Sequence, residues 1–176
     1  GYTGEDGFEI FCNVDDAPRL WNLILERGEP FGLLPCGLGC RDSLRIEAKL
    51  PLYGHEISDA ITPLEANLAA FVKLDKGDFC GRDALVRQEE EGIPRSLRGL
   101  EMIDRGVPRQ GYPVLLEGRE IGAITSGLKS PTLGGFWAYA LLDRSLALKF
   151  GSEVCVLIHG QEKRARVVKS PFYRRP

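Results

Sequence analysis

The chain has 176 residues, of which 43% are apolar and 27% are charged, and its formal net charge is −2. These values are typical of a soluble globular protein with one large or two small domains. Lysine and arginine are spread along the chain, and no apolar run approaches the ~18 residues of a membrane helix. We therefore expect neither a nucleic acid nor a membrane among its partners.

The first 92 residues combine one strand pattern with helical patterns. Apolar residues alternate over residues 8–12, which predicts a strand. Helical spacing, an aspartate cap and an early proline predict a helix over 16–28, and further helical patterns occupy 38–50 and 81–91. In the second of these helices the apolar positions form one stripe: Cys40, Leu44 and Ala48.

The sequence changes character after Gly92-Ile93-Pro94, which we take as the domain boundary. Six short β-like runs follow, separated by turns such as Glu117-Gly118 and His159-Gly160. Regularly spaced short strands are typical of a small all-β sandwich or barrel. The six runs cover residues 97–103, 113–116, 120–126, 137–142, 153–158 and 163–169.

The cysteines give no sign of a disulfide framework or a metal site. Their number is odd and their spacing irregular, and the chain has only two histidines. We expect small buried thiols in a reducing compartment, and no metal. The five are Cys12, Cys36, Cys40, Cys80 and Cys155.

No single catalytic motif stands out: the chain has no P-loop, no strand followed by GxGxxG, and no evident Ser/His/Asp set. Its specific signal is a series of longer motifs. They are Gly-Tyr-Thr-Gly-Glu-Asp-Gly-Phe-Glu-Ile at 1–10, Gly-Leu-Gly-Cys-Arg-Asp-Ser-Leu-Arg-Ile-Glu-Ala-Lys-Leu-Pro-Leu-Tyr-Gly-His-Glu at 37–56, Thr-Pro-Leu-Glu at 62–65, Lys-Leu-Asp-Lys at 73–76, Asp-Phe-Cys-Gly-Arg-Asp-Ala-Leu at 78–85, Gly-Ala-Ile-Thr-Ser-Gly at 122–127, Ser-Pro-Thr-Leu at 130–133 and Pro-Phe-Tyr at 171–173. In this order they resemble the C-terminal half of the aminomethyltransferase family, the T-protein of the glycine cleavage system.

The resemblance covers essentially the whole chain. It implies an α+β fold, in which a mixed α/β region over residues 1–92 precedes a C-terminal β-barrel over 93–176. It also implies that tetrahydrofolate is bound, and that an aminomethyl group passes to it from the lipoyl arm of the H-protein with release of ammonia. The aspartate held responsible for catalysis lies upstream in the family, so we assign no catalytic residue in this chain. We expect aminomethyltransferase activity only from the full-length protein, and no activity from this chain alone.

Three residues match folate-contacting positions of the family: Glu9, Arg41 and Arg174. An ionised carboxylate such as that of Glu9 accepts two hydrogen bonds from the adjacent N–H donors of a pterin. On the expected strand, Phe8 and Ile10 share one face, and Glu9 lies on the other face with an aromatic neighbour.

Arg41 lies four residues before Arg45, a like-charge spacing on a helix, and Asp42 is placed to neutralise Arg45. Arg41 is then left for another anion, either Glu9 or a folate carboxylate, which its guanidinium could bind with two hydrogen bonds.

The assignment of Arg174 has an immediate alternative in Arg175. Tyr53 and His55 could face the cofactor or serve only the stability of their loop.

The sequence departs from the family pattern at three places. Cys40 stands where alanine is expected, Lys49 where glycine is expected, and Trp137 lies in a bulkier segment than usual. The last two changes leave the identity of the partner and the substrate open.

Alternatives remain within and outside the enzyme class. The chain could be the folate-binding part of a dimethylglycine or sarcosine oxidase, or a standalone module without catalysis. A folate-dependent protein of iron–sulfur cluster maintenance is disfavoured, because Asp78 rather than cysteine follows Lys76-Gly77.

The chain begins with Gly1 rather than methionine, so we expect Gly1 to be an internal residue of a longer protein. An absent half would leave apolar surface exposed, so we also expect self-association. The expected location is the cytoplasm, or the mitochondrial matrix in a eukaryote.

Overall fold

The computed structural model describes residues 1–175, with three α-helices followed by six β-strands. The helices are α1 (Ala17–Gly28), α2 (Leu38–Glu47) and α3 (Arg82–Glu91). The strands are β1 (Arg95–Met102), β2 (Pro113–Leu116), β3 (Arg119–Lys129), β4 (Phe136–Asp143), β5 (Glu153–Ile158) and β6 (Gln161–Val168). The α+β fold class is confirmed, and each of the six predicted β runs overlaps a strand.

The six strands close into an antiparallel barrel in the order β1-β4-β3-β2-β5-β6, with β6 pairing back onto β1. Two of the connections are two-residue hairpins, at Glu117-Gly118 and His159-Gly160. Both residues of each turn have positive φ angles, from 48° to 77°. Such turns match the twist of the flanking strands, so they set the register of the two hairpins.

The barrel interior is the main hydrophobic core. Strand side chains alternate between this core and the outside, as the clean alternation of β5 and β6 shows. Burial of this apolar surface is the principal stabilising contribution to the domain. The fully buried apolar residues include Leu100, Val114, Ala138, Ala140, Val156, Ala165 and Val167.

The strand predicted over residues 8–12 is not formed. This segment runs into α1 without pairing to any strand of the described residues 1–175, and Phe8 is 99% exposed and Phe11 91% exposed. An alternating pattern makes a strand only where a neighbour completes the hydrogen bonds, and the closed barrel offers no free edge. The predicted helix α1 is confirmed, although none of its residues is buried.

The expectation of buried thiols is wrong, because none of the five cysteines is fully buried, and Cys40 and Cys155 are only half-buried. All five are free, and Cys12, Cys36 and Cys80 are exposed. These three lie outside the barrel, in segments that contribute little to its core. Among residues 1–175 no helix is long and apolar enough to cross a bilayer, and no group of three or more His, Cys, Asp and Glu side chains could hold a metal.

Candidate functional site

The end of α2 packs on the barrel through charged residues. The predicted apolar stripe is only half-buried, whereas Arg45, Ile46 and Glu47 are buried. The sequence prediction of the buried face was therefore wrong. The apolar-stripe pattern predicts the buried face of a helix only where its neighbour is apolar. Here the neighbouring surface supplies hydrogen-bonding partners to two buried charges, Arg45 and Glu47.

Arg45 is at the centre of this contact. Its guanidinium is 2.8 Å from Asp42 Oδ1 and 2.8 Å from Glu56 Oε2. It also donates to Ser126 Oγ of β3 at 2.9 Å. The predicted pairing of Asp42 with Arg45 is confirmed, but the pattern gave no sign of the buried Glu56. Arg45 therefore joins α2 to β3 through Ser126 directly, and through Glu56, which Thr125 of β3 hydrogen-bonds. Removing one partner of the buried Arg45–Glu56 pair would leave an uncompensated charge.

Glu56 is also hydrogen-bonded within its own loop and to β3. It accepts from the Leu52 backbone N–H at 3.0 Å and from Thr125 Oγ1 at 2.8 Å. The adjacent His55 places Nδ1 3.0 Å from the Thr125 carbonyl, so that nitrogen carries the proton. His55 thus has a partner on β3, in keeping with a role in loop stability. Tyr53 instead donates to Asp59 Oδ1 at 2.7 Å, which raises the pKa of its exposed phenol.

Glu47 joins α2 to two further segments. Its carboxylate accepts from Ser130 Oγ and from the Thr132 backbone N–H, and its backbone carbonyl accepts from Tyr173 N at 3.0 Å. The preceding residue, Phe172, stacks on Tyr139 of β4 with ring centroids 4.6 Å apart. The C-terminal segment is therefore fixed beside α2.

The backbone at the end of α2 explains why glycine is expected at position 49, where this chain has lysine. Lys49 N–H bonds to Ile46 O at 3.1 Å and Leu50 N–H to Arg45 O at 2.8 Å, the pattern of a Schellman motif. Lys49 has a φ of 61°, a left-handed conformation that glycine adopts without strain. The helix thus stops at Glu47 rather than at the predicted residue 50. Burial and the nearby Arg98 lower the pKa of Lys49.

The N-terminal turn packs against this end of α2. A side chain at Gly4 would place its Cβ 2.6 Å from Ala48 Cβ, so only glycine permits the contact. Tyr2 donates to the backbone carbonyls of Leu50 and Pro51. The Arg41 guanidinium lies over the Tyr2 ring, 4.6 Å from its centroid, a cation–π contact.

The predicted site residues have different environments. Arg41 is exposed, and its described contact is with Tyr2 rather than with Glu9. Glu9 is exposed and has no hydrogen bond or ion pair within residues 1–175. Arg174 is also exposed, whereas its neighbour Arg175 pairs with Asp6 and lies 3.7 Å from Glu5.

Tyr173 reinforces the link between the two ends of the chain. A hydrogen bond with Glu5 raises the pKa of the Tyr173 phenol. The N-terminal turn, α2 and the C-terminal segment therefore form one cluster, in which Arg41 and the turn leading to Glu9 lie near each other. The exposed Arg41 guanidinium over the Tyr2 ring can bind an anionic group.

Comparison with known proteins gives a consistent result over both parts of the chain. The model of the GCVT N-terminal domain matches residues 1–76, and that of the glycine cleavage T-protein C-terminal barrel domain matches residues 95–174. The chain is similar to an aminomethyltransferase of Symbiobacterium thermophilum, with 56% identity over 185 aligned residues, covering 100% of this chain and 47% of that protein. Identity to an aminomethyltransferase of Moorella thermoacetica is 57%, covering 100% of this chain and 48% of that protein.

A solved structure is similar over the same extent. The glycine cleavage system aminomethyltransferase T from Bartonella henselae superimposes with a TM-score of 0.90 at 33% identity, covering 98% of this chain and 48% of that one. The chain thus spans about half the length of the curated relatives it matches.

Proposed function

Because this chain belongs to the glycine cleavage T-protein family, we propose that it forms the tetrahydrofolate-binding portion of an aminomethyltransferase. In the proposed reaction, a one-carbon unit passes from the aminomethyl-lipoyl H-protein to tetrahydrofolate, and ammonia is released. The observation that carries this proposal is the order of the matches: the two family models follow each other along one chain, over 1–76 and 95–174.

The proposed role of this chain is to bind and orient the folate. Glu9 has an exposed carboxylate without a described partner, so both of its oxygens can accept from the pterin N–H groups. Arg41 is held over Tyr2 with its N–H groups free of a described carboxylate, so it can bind an acidic chain bidentately. Arg174, next to the anchored Arg175, is the third proposed contact.

Proton transfer is not part of this proposed role. Within residues 1–175, no nucleophile lies hydrogen-bonded to a base beside Glu9 and Arg41, so we assign these residues to positioning and electrostatic attraction. The proposed transfer would then need the aspartate that the family carries upstream. The proposed partners are tetrahydrofolate, the lipoylated H-protein and, for the isolated chain, a second copy of itself; the proposed location is the cytoplasm.

The folate proposal is tested by Glu9→Gln in the full-length protein. Loss of the charge should weaken tetrahydrofolate binding by about 1 kcal/mol or more, the range for a hydrogen bond to a charged group. Calorimetry measures the affinity, and Glu26→Gln, an exposed glutamate of α1, is the matched control. Unchanged affinity in Glu9→Gln would remove Glu9 from the site.

The same titration decides between the two C-terminal arginines. Arg174→Ala should weaken folate binding, whereas Arg175→Ala should chiefly loosen the contact with Asp6 and Glu5. If only Arg175→Ala weakens binding, the assignment moves by one residue. If neither change has an effect, the C-terminal segment does not contact the folate.

A further inference from the structure

A second surface lies on the barrel, apart from the proposed folate contacts. A cleft of about 610 Å³ opens between the β1–β2 connection and the β5–β6 hairpin. The side chains that matter here are Arg105, Val107, Arg109, Tyr112, His159 and Lys163. Because the barrel is closed, each strand that supports the cleft has a paired strand on both sides.

The cleft concentrates positive charge in a chain whose net charge is −2. Arg105, Arg109 and Lys163 line it, no carboxylate does, and within residues 1–175 none of the three forms an ion pair. The nearby Asp104 is held by Arg164, with Nη2 to Oδ1 at 3.1 Å, and this hydrogen bonding lowers the pKa of Asp104. Three unpaired cations facing one cleft create a local field that attracts anions.

The backbone that carries these cations is fixed at both ends. Ile103 N–H bonds to Arg164 O at 2.9 Å, and Gly111 N–H bonds to Ile124 O at 2.8 Å. Between them, a Cβ at Gly106 would lie 2.9 Å from Ile158 Cδ1, so this connection packs directly on the hairpin. A fixed frame reduces the conformational entropy lost when a ligand binds.

Lys163 is held by the barrel itself. It has the same strand parity as Ala165 and Val167, which are fully buried in the core. Its Cγ lies 3.8 Å from the position of a Cβ at Gly106, and the side chain lines the cleft.

The aromatic groups of the cleft contact each other. His159 has a φ of 48° in its two-residue turn, and its ring meets Tyr112 edge-on with centroids 5.8 Å apart. Val107 and Ile158 complete an apolar wall beside the cations. A nucleic acid would need an extended basic stripe, whereas this cleft offers a short basic patch beside an apolar wall.

We propose that this cleft binds an acidic peptide segment of a protein partner, with carboxylates on Arg105, Arg109 and Lys163 and an apolar side chain against Val107 and Ile158. Guanidinium groups bind carboxylates bidentately, and the volume accommodates several side chains rather than one small ion. The proposal is independent of folate binding, because it uses none of the residues assigned to the folate.

The test compares two variants that each lose three positive charges. One is Arg105→Gln/Arg109→Gln/Lys163→Gln; the control is Arg87→Gln/Arg119→Gln/Arg166→Gln, whose exposed arginines lie outside the cleft. The probe is a fluorescent peptide of six glutamates and one leucine, titrated by anisotropy at low salt. We expect the cleft variant to bind at least tenfold more weakly and the control to remain within threefold of the parent.

Three results would overturn the proposal: equal loss in both variants, competition by inorganic phosphate at the concentration at which the peptide competes, or tighter binding of a single-stranded oligothymidylate. If the cleft variant fails to fold, anisotropy titrations of the unmodified chain test the site instead. Added salt should weaken binding of the acidic peptide, and a six-lysine peptide should not bind. Equal binding of the two peptides would refute the site.

Discussion

The barrel and the chain before α2 use apolar residues in opposite ways. In the barrel they face a closed interior, and Leu100 on β1 has no exposed surface. Before α2 they face outward, and five of them are at least 77% exposed: Phe8, Phe11, Val14, Phe31 and Leu34. A sheet closed on itself buries its own side chains, whereas apolar residues in the segments around α1 need a second surface to cover them.

Self-association is the largest effect expected from this difference. Exposed apolar patches tend to find partners, so we expect the isolated chain to be at least a dimer in light scattering. Phe8→Ser/Phe11→Ser should shift it toward monomer, whereas Phe150→Ser on the barrel side should not. A monomeric parent that binds no hydrophobic dye would contradict this expectation.

The two regions should also differ in how much an ion pair stabilises them. Arg45→Ala leaves the buried Glu56 uncompensated, which should lower the free energy of unfolding by about 3–5 kcal/mol. Arg19→Ala removes a pair with Asp16 whose side chains are 68% and 45% exposed, and should cost about 0–1 kcal/mol. Urea unfolding measures both. Similar losses would show that the Arg45 pair does not hold α2 to the barrel.

Truncation of a single apolar side chain should destabilise the barrel far more than the segment before α2. Leu100→Ala opens a cavity in the barrel core and should lower the free energy of unfolding by about 2–5 kcal/mol. Phe11→Ala, at a residue that is 91% exposed, should change it by less than about 0.5 kcal/mol. The measurement is again urea unfolding, at a concentration where the chain is monomeric. A large loss in Phe11→Ala would mean that the segment is packed in solution.

The smallest expected change in the free energy of unfolding is at the end of α2, where the two regions meet. Lys49→Gly should raise the free energy of unfolding by about 1 kcal/mol, because glycine relieves the left-handed strain. Lys49→Ala keeps the Cβ, so it should give little of this gain. If both variants are equally stabilised, removal of the positive charge near Arg98 is the cause instead of the backbone.

The sequence was most informative where structure depends on neighbouring residues. The six β runs, the hairpin turns and α1 follow from alternation, turn residues and helical spacing, all of which act over a few positions. The ordered motifs also pointed to the family that both domain models match. The strand over 8–12 was predicted by the same reasoning and failed, because a strand needs a partner that local spacing does not supply.

The division of the chain at residue 92, the three folate contacts and the folate itself stay predictions. Glu9 and Arg41 were predicted from matching motif positions, and the structure places both side chains on the surface without showing what they bind. Spacing gave no reason to choose Arg174 over Arg175, because adjacent residues share the same local pattern. Only the fold of the N-terminal turn determines which of them meets Asp6.

The amino-acid sequence by itself determined the strands of the barrel, the helices and the turns, since each depends on side chains close along the chain. Packing between distant segments set the long-range partners of the buried charges and brought the cations together in one cleft. Arg45 contacts Ser126 across 81 residues, and Arg105 shares a cleft with Lys163 through the closure of the sheet. Such contacts follow from which distant surfaces pack together, and no local pattern records that choice.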